Sequence, residues 1–218
     1  MSKKASKKSP PKKSARKPAR TAATKKPANK PVKKPANKPV RKAAKKPAVK
    51  AAPSSVLRDH AIGIATFAHG MTARAASGFA PDQVTAQTPG CANHALWTLG
   101  HLASTASWLA TLVDGKPHSV PESYYGLFGP GSKPVSDPAT YPPFDEVRRA
   151  FDDTFQRLVS AASGMSDEEM KSPCLADSMG FCADKLDVLH KGAWHEGWHV
   201  GQLATLRREL GLPTVFGA

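Results

Sequence analysis

The sequence predicts an all-α protein, a four-helix bundle with one long connection, preceded by a disordered tail. Three observations carry the prediction. Apolar residues recur every three or four positions in four separate segments after residue 53. No segment alternates apolar and polar residues as a half-buried strand would. The first 50 residues carry charge but almost no large apolar side chain, so ordering them could not offset the backbone entropy lost.

The tail comes first. Of the 32 lysines and arginines in the chain, 20 fall within residues 1–50, which contain no acid; the remainder holds 12 basic residues against 17 acidic ones. A mildly acidic domain over 54–218 is therefore joined to a strongly cationic tail over 1–53. The octapeptide KKPANKPV occurs at 25–32 and again at 33–40, and KKPAVK follows at 45–50. Proline keeps such a segment extended and lysine spreads charge along it. Lys25, Lys26, Lys30, Lys33, Lys34, Lys38, Lys45 and Lys46 are the candidate contacts to a DNA or RNA phosphate backbone, where each neutralised phosphate releases counterions whatever the base sequence. The tail has no aromatic residue on which single-stranded bases could stack, so duplex or generic phosphate binding is expected. Its composition resembles the Lys, Ala and Pro-rich tails of linker-histone-like proteins.

The first helix is expected from Ser54 to Phe79, with Leu57, Ala61, Ile64, Ala68, Met71 and Ala75 as its inner stripe. A break from Gly78 to Gly90 leads to a second, from about Ala92 to Asp114, with Asn93 as cap and Gly115 as terminator. Residues Gly115 to Pro142, containing SYYGLFGPGSKPVSDP, form a connection long enough to cross the length of a bundle or to serve the site. The third helix runs from about Pro143 to Ser163, with Phe144, Val147, Phe151, Phe155, Leu158 and Ala162 on one stripe. Ser166 and Glu169 form a capping box for a short extra turn. The last helix spans about Ala183 to Leu210 and stops at Gly211, with Arg207 and Arg208 in its final turn.

That last helix contains His195-Glu196-Gly197-Trp198-His199, and histidines four apart share one helical face, a spacing that lets two imidazoles bind one ion. Two ligands are too few for tight binding. His101, on a stripe with Trp97, Thr105, Trp108 and Leu112, is the inward-facing candidate for a third. The same five residues match the H-E-x-x-H pattern of zinc proteases, but no histidine follows His199 to complete that site. Glu196 is expected at the rim or in solvent, and Trp97, Trp108 and Trp198 in the core. His94 is expected to cap or line the pocket mouth, while His60, His69, His118 and His190 show no partner pattern. Cys91, Cys174 and Cys182 form no C-x-x-C pair and read as reduced thiols. With no secretory h-region and no membrane-length apolar run, a cytoplasmic protein is expected, nucleoid-associated through its tail, and a homodimer is left open.

The run Asn93-His94-Ala95-Leu96-Trp97-Thr98-Leu99-Gly100-His101-Leu102-Ala103, the loop LFGPGSKP, and His195-x-x-x-His199-x-Gly201-Gln202-Leu203 with Leu206-Arg207-Arg208 resemble the DinB-like (YfiT-like) superfamily. The resemblance covers nearly all of residues 55–215 and none of the tail. It implies an antiparallel four-helix bundle with a long crossover. It also implies one divalent ion, zinc, nickel or similar, on His101, His195 and His199 beside a small-molecule pocket. Relatives of known activity include transferases and isomerases that use a low-molecular-weight thiol as cosubstrate. Two function classes follow: a metal-dependent thiol transferase or small hydrolase, and a non-catalytic metal-binding module carried to DNA by its tail in a stress response.

Overall fold

A computed structural model describes residues 55–215, and every one of its long elements is helical. The tail, its eight candidate lysines and the boundary at residue 54 lie outside the described residues. The helices are α1 (Val56–Ala75), α2 (Ala95–Asp114), α3 (Ser123–Phe128), α4 (Phe144–Ala162), α5 (Asp167–Met170) and α6 (Lys185–Glu209), with a 3₁₀ turn at Pro138–Thr140. Among the described residues no strand forms. Among the described residues, no helix is long and apolar enough to cross a membrane.

Local chemistry sets the ends. The Ser55 side chain accepts from Arg58 N–H and starts α1, and Asp184 does the same for α6 through Asp187 N–H. Gly115 adopts φ 69° and ends α2, as a left-handed residue without Cβ can. Ser166 and Glu169 close the capping box of α5 in both directions. The cap of α2 is not Asn93 but His94, whose Nδ1 accepts from Trp97 N–H at 3.0 Å. Its Nε2–H donates to the Val135 carbonyl at 3.1 Å, so the ring ties the helix start to the far side of the connection. Two bonds to one buried ring outweigh the single bond Asn93 could offer.

Helix directions follow from which ends meet. Arg207, late in α6, donates to the Ala75 carbonyl at the end of α1, so these two helices run parallel. Arg157, late in α4, pairs with Asp114 at the end of α2, so these also run parallel. Asn93, before α2, bonds Gln202, late in α6, so those two oppose. His69 and Asp152 join α1 to α4 in the same opposed sense. The most extensive packed pairs, α2/α4 and α1/α6, are thus parallel, the smaller α2/α6 and α1/α4 contacts are antiparallel, and the crossover exists because α4 must start at the end where α2 started, about 30 Å back. Part of that crossover coils into α3, where the sequence suggested only loop. Tyr124 and Phe128 of α3 are fully buried, so the crossover contributes to the core.

α2 is the central element, buried on almost every side by α4, α6 and the crossover. On α1 the inner stripe is Ala61, Ala65, Ala68, Thr72 and Ala75, rotated from the expected one so that Ile64 is 52 % exposed. Small residues win the inner position because they let α6 approach closely, and the larger side chains of α1 are turned outward.

Candidate metal centre

His101 sits in the second turn of α2 and His195 and His199 one turn apart on α6, so the opposed packing of these helices brings three imidazoles together. His101 Nε2 lies 3.2 Å from His195 Nε2, and His199 Nε2 lies 3.2 Å from the same atom. The three are the one group of metal-ligating side chains that converges among the described residues.

The other ring nitrogens decide what converges. His101 Nδ1–H donates to the Phe128 carbonyl at 2.7 Å. His199 Nδ1–H donates to Gln202 Oε1 at 2.9 Å, and Gln202 is braced by the Asn93 amide at 3.2 Å. With the proton on Nδ1, each of these rings points a bare Nε2 lone pair at His195. One proton on His195 could satisfy only one of them. The two 3.2 Å separations from His195 Nε2 match the ~3.3 Å expected of nitrogens bound at about 2.0–2.1 Å to one tetrahedral ion, and all three atoms lie within 4.8 Å of one another. The residues therefore fit a divalent metal, with the outer hydrogen bonds that hold such ligands already in place.

Electrostatics agree. Burial, reinforced by the neighbouring imidazoles, holds His195 down at about 4 and His199 at about 3, and burial lowers His101 below the usual imidazole range. All three are neutral at pH 7, the form that coordinates. Trp97 lies flat on His101, ring centroids 4.8 Å apart, and fixes its plane.

His101 and His195 form one wall of a cavity of about 700 Å³. Trp108, Tyr125, Pro130, Met179 and Phe181 supply most of the rest, and no lysine, arginine, aspartate or glutamate lines it. Trp108 is thus a pocket wall as well as a core residue. Met179, at φ 51° and 78 % exposed, precedes Gly180 at φ 75°, and this left-handed pair turns the chain over the cavity rim. His118, which showed no pattern in the sequence, also lines the cavity, its ring 5.0 Å from that of Tyr125. The crossover carries it there, and only the fold makes that visible.

Other residues fall elsewhere. Glu196 is neither rim nor solvent but 8 % exposed and directed at α1, its Oε1 3.5 Å from His69 Nδ1. His69 in turn reaches Asp152 at 3.1 Å and lies between the Phe151 and Phe155 rings, so it has the partners that the sequence did not suggest. One residue past His195 is a rotation of about 100°, which takes Glu196 off the metal face and leaves the protease reading without its base. Trp198 is 56 % exposed rather than core, because it sits on the outer face of α6. His190 is exposed, away from the triad. The cysteines are free, and burial pushes each thiol up, Cys182 to about 12, so none is a ready nucleophile.

The model of the DinB superfamily matches residues 65–203, a span that includes His101, His195 and His199. No curated protein matches the chain.

Proposed function

Because the chain belongs to the DinB superfamily, we propose that it is a divalent-metal-dependent enzyme acting on a small, uncharged and largely apolar substrate, by thiol-dependent transfer or by hydrolysis. What supports the reading is the convergence of three imidazoles, two of which, His101 and His195, stand on the wall of a cavity large enough for a small molecule. A structural metal site is closed by its protein ligands, whereas three ligands opening on a cavity leave room for a reactant.

An ion held by His101, His195 and His199 would supply Lewis acidity, lowering the pKa of a bound thiol or water and polarising a carbonyl. The chain's own residues do the rest. Phe128 and Gln202 hold the ligand rings in the tautomer that presents Nε2. Trp108, Phe181 and Met179 receive an apolar body and exclude water from it. With no charged side chain in the wall, a carboxylate-rich ligand would lose its hydration there without a partner, so such groups stay outside. His118, away from the triad but on the same cavity, is the imidazole placed to give or take a proton from the reactants. Thiol-dependent transfer is the reaction class the family resemblance implies. Zinc and nickel are the first ions to test.

The tail is a separable component, and we propose that its lysine repeats attach the chain to nucleic-acid phosphates whatever the base sequence. The experiment for the bundle compares stripped protein with protein reloaded with zinc or nickel, against apolar aryl electrophiles offered with several low-molecular-weight thiols. Turnover is expected in the loaded protein and not in His101→Ala. Stoichiometric metal without turnover of any pair would favour the non-catalytic binding module.

A further inference from the structure

α1 and α6 share an outer face that carries almost no charge. From Ala61 to Ala73, α1 contains no lysine, arginine, aspartate or glutamate, and from Gly192 to Leu206 the one such residue in α6 is the buried Glu196. A helix face meant for water carries such residues, as α4 does with Asp145, Glu146, Arg148, Arg149, Asp152 and Asp153. On the α1/α6 face stand Ile64, Phe67, Trp194 and Trp198 instead, 52 %, 71 %, 57 % and 56 % exposed. Half of the eight exposed large apolar side chains of the described residues are gathered here.

The face has relief. A groove of about 670 Å³ runs between the helices, with Ala68, Ala193 and Val200 along it and Phe67 and Trp194 on its sides. Beside it, the Trp194 and Trp198 rings lie 5.4 Å apart as a projecting pair. Gly197 and Gly201, one turn apart on α6, have no atom within 4 Å of where a Cβ would stand, so another backbone could come close.

We propose that this face is a two-fold interface between two copies of the chain. A two-fold interface needs one patch to carry both projection and recess, and this patch has both. Its extent is suitable: about 20 Å of two adjacent helices, each about 10 Å wide, is about 400 Å² in projection. That is the apolar centre of an interface burying about 800 Å² per partner, where charge is depleted and aromatic residues are enriched. The chain's own tail does not suit the groove, since residues 1–53 contain no aromatic residue and only Met1 and three valines as larger apolar side chains. A bilayer is disfavoured by the same gap in charge, because the face has no lysine or arginine to meet headgroups and its recess would stay unfilled.

The test uses the full chain at about 0.5 M salt, which removes nucleic acid from the tail. Sedimentation equilibrium is expected to give twice the 23.1 kDa chain mass. Phe67→Glu and Trp198→Glu, both at exposed positions, are expected to weaken the dimer about 30-fold or more while circular dichroism stays that of wild type. Dilution should red-shift tryptophan emission as the dimer separates, and the shift should vanish in Trp194→Phe/Trp198→Phe. A wild-type monomer at about 100 µM, or a dimer indifferent to both substitutions, overturns the proposal. So does a monomer that binds phosphatidylcholine/phosphatidylglycerol vesicles through Trp198, which would assign the face to a bilayer.

Discussion

Gly100→Ala separates the metal centre from the stability of the bundle. A Cβ built on Gly100 would stand 2.5–2.6 Å from three ring carbons of Phe128. Carbon contacts settle at about 3.5–4.0 Å, so something must move by about 1 Å. Phe128 is fully buried and held by Tyr124 and Tyr141, with ring centroids 5.1 and 5.6 Å away, and has no solvent to swing into. Overpacking of this kind costs about 1–3 kcal/mol. Alanine in a helix interior returns about 1 kcal/mol over glycine, so the net loss of stability should be at most about 2 kcal/mol. The larger effect falls on the ligands. The carbonyl of Phe128 is the acceptor that fixes the His101 tautomer at 2.7 Å, and a shift of about 1 Å takes that bond out of range. Loss of such an outer partner costs about 10- to 100-fold in metal affinity. The assay is a zinc titration of wild type and variant beside urea unfolding of the metal-free proteins. Wild-type zinc affinity in a variant destabilised as expected would refute the role given to the Phe128 carbonyl.

His101→Ala, His195→Ala and His199→Ala should each remove most bound metal while circular dichroism remains helical, and His190→Ala should not; elemental analysis decides. Gln202→Leu should weaken metal about 10- to 100-fold by freeing the His199 ring, measured by competition with a chelator. The depressed imidazole values make metal-free protein fully stable only above the unfolded value of about 6.5. As pH falls through 6.5 toward about 4 for His195 and about 3 for His199, the unfolded chain takes up protons that the folded one refuses. Each group then removes about 1.4 kcal/mol per pH unit, read from urea midpoints across pH 7 to 4, and a flat profile would contradict their burial as neutral rings. Full-length protein should bind duplex DNA with an affinity falling about 10³- to 10⁵-fold between 50 and 200 mM salt if roughly 6 to 10 lysines meet phosphates, whereas residues 54–218 should not bind. Equal binding by both, in a filter or anisotropy assay, would move the contact into the bundle.

The convergence of the three histidines was legible because four residues is one turn, which pairs His195 with His199, and because His101 lies on an apolar stripe of another helix. The helices were legible for the same reason, apart from frayed ends such as α1 stopping at Ala75 rather than Phe79. What escaped was chosen by packing. Ile64 reads as core by hydrophobicity, yet α6 approaches over alanines and turns it out. Trp198 reads as core by residue type and is exposed. Glu196 reads as rim or solvent from its one-residue rotation off the histidine face, yet that rotation aims it at α1 and His69, itself unrecognised because its carboxylate partners belong to other helices. His118 and α3 lie in a connection whose path the periodicity of its neighbours does not encode.

His101 and His195 are 94 residues apart, on helices that meet only after the crossover has brought the chain back. A chain still being synthesised, lacking α6, holds one of the three imidazoles and cannot retain an ion. If the three histidines hold an ion, maturation has a fixed order, with the bundle first and the metal last. An ion bound there would be selected by competition around a finished binding site, where copper outranks zinc on intrinsic affinity. The metal recovered with the protein would then record the free-ion pool of the compartment in which it folded.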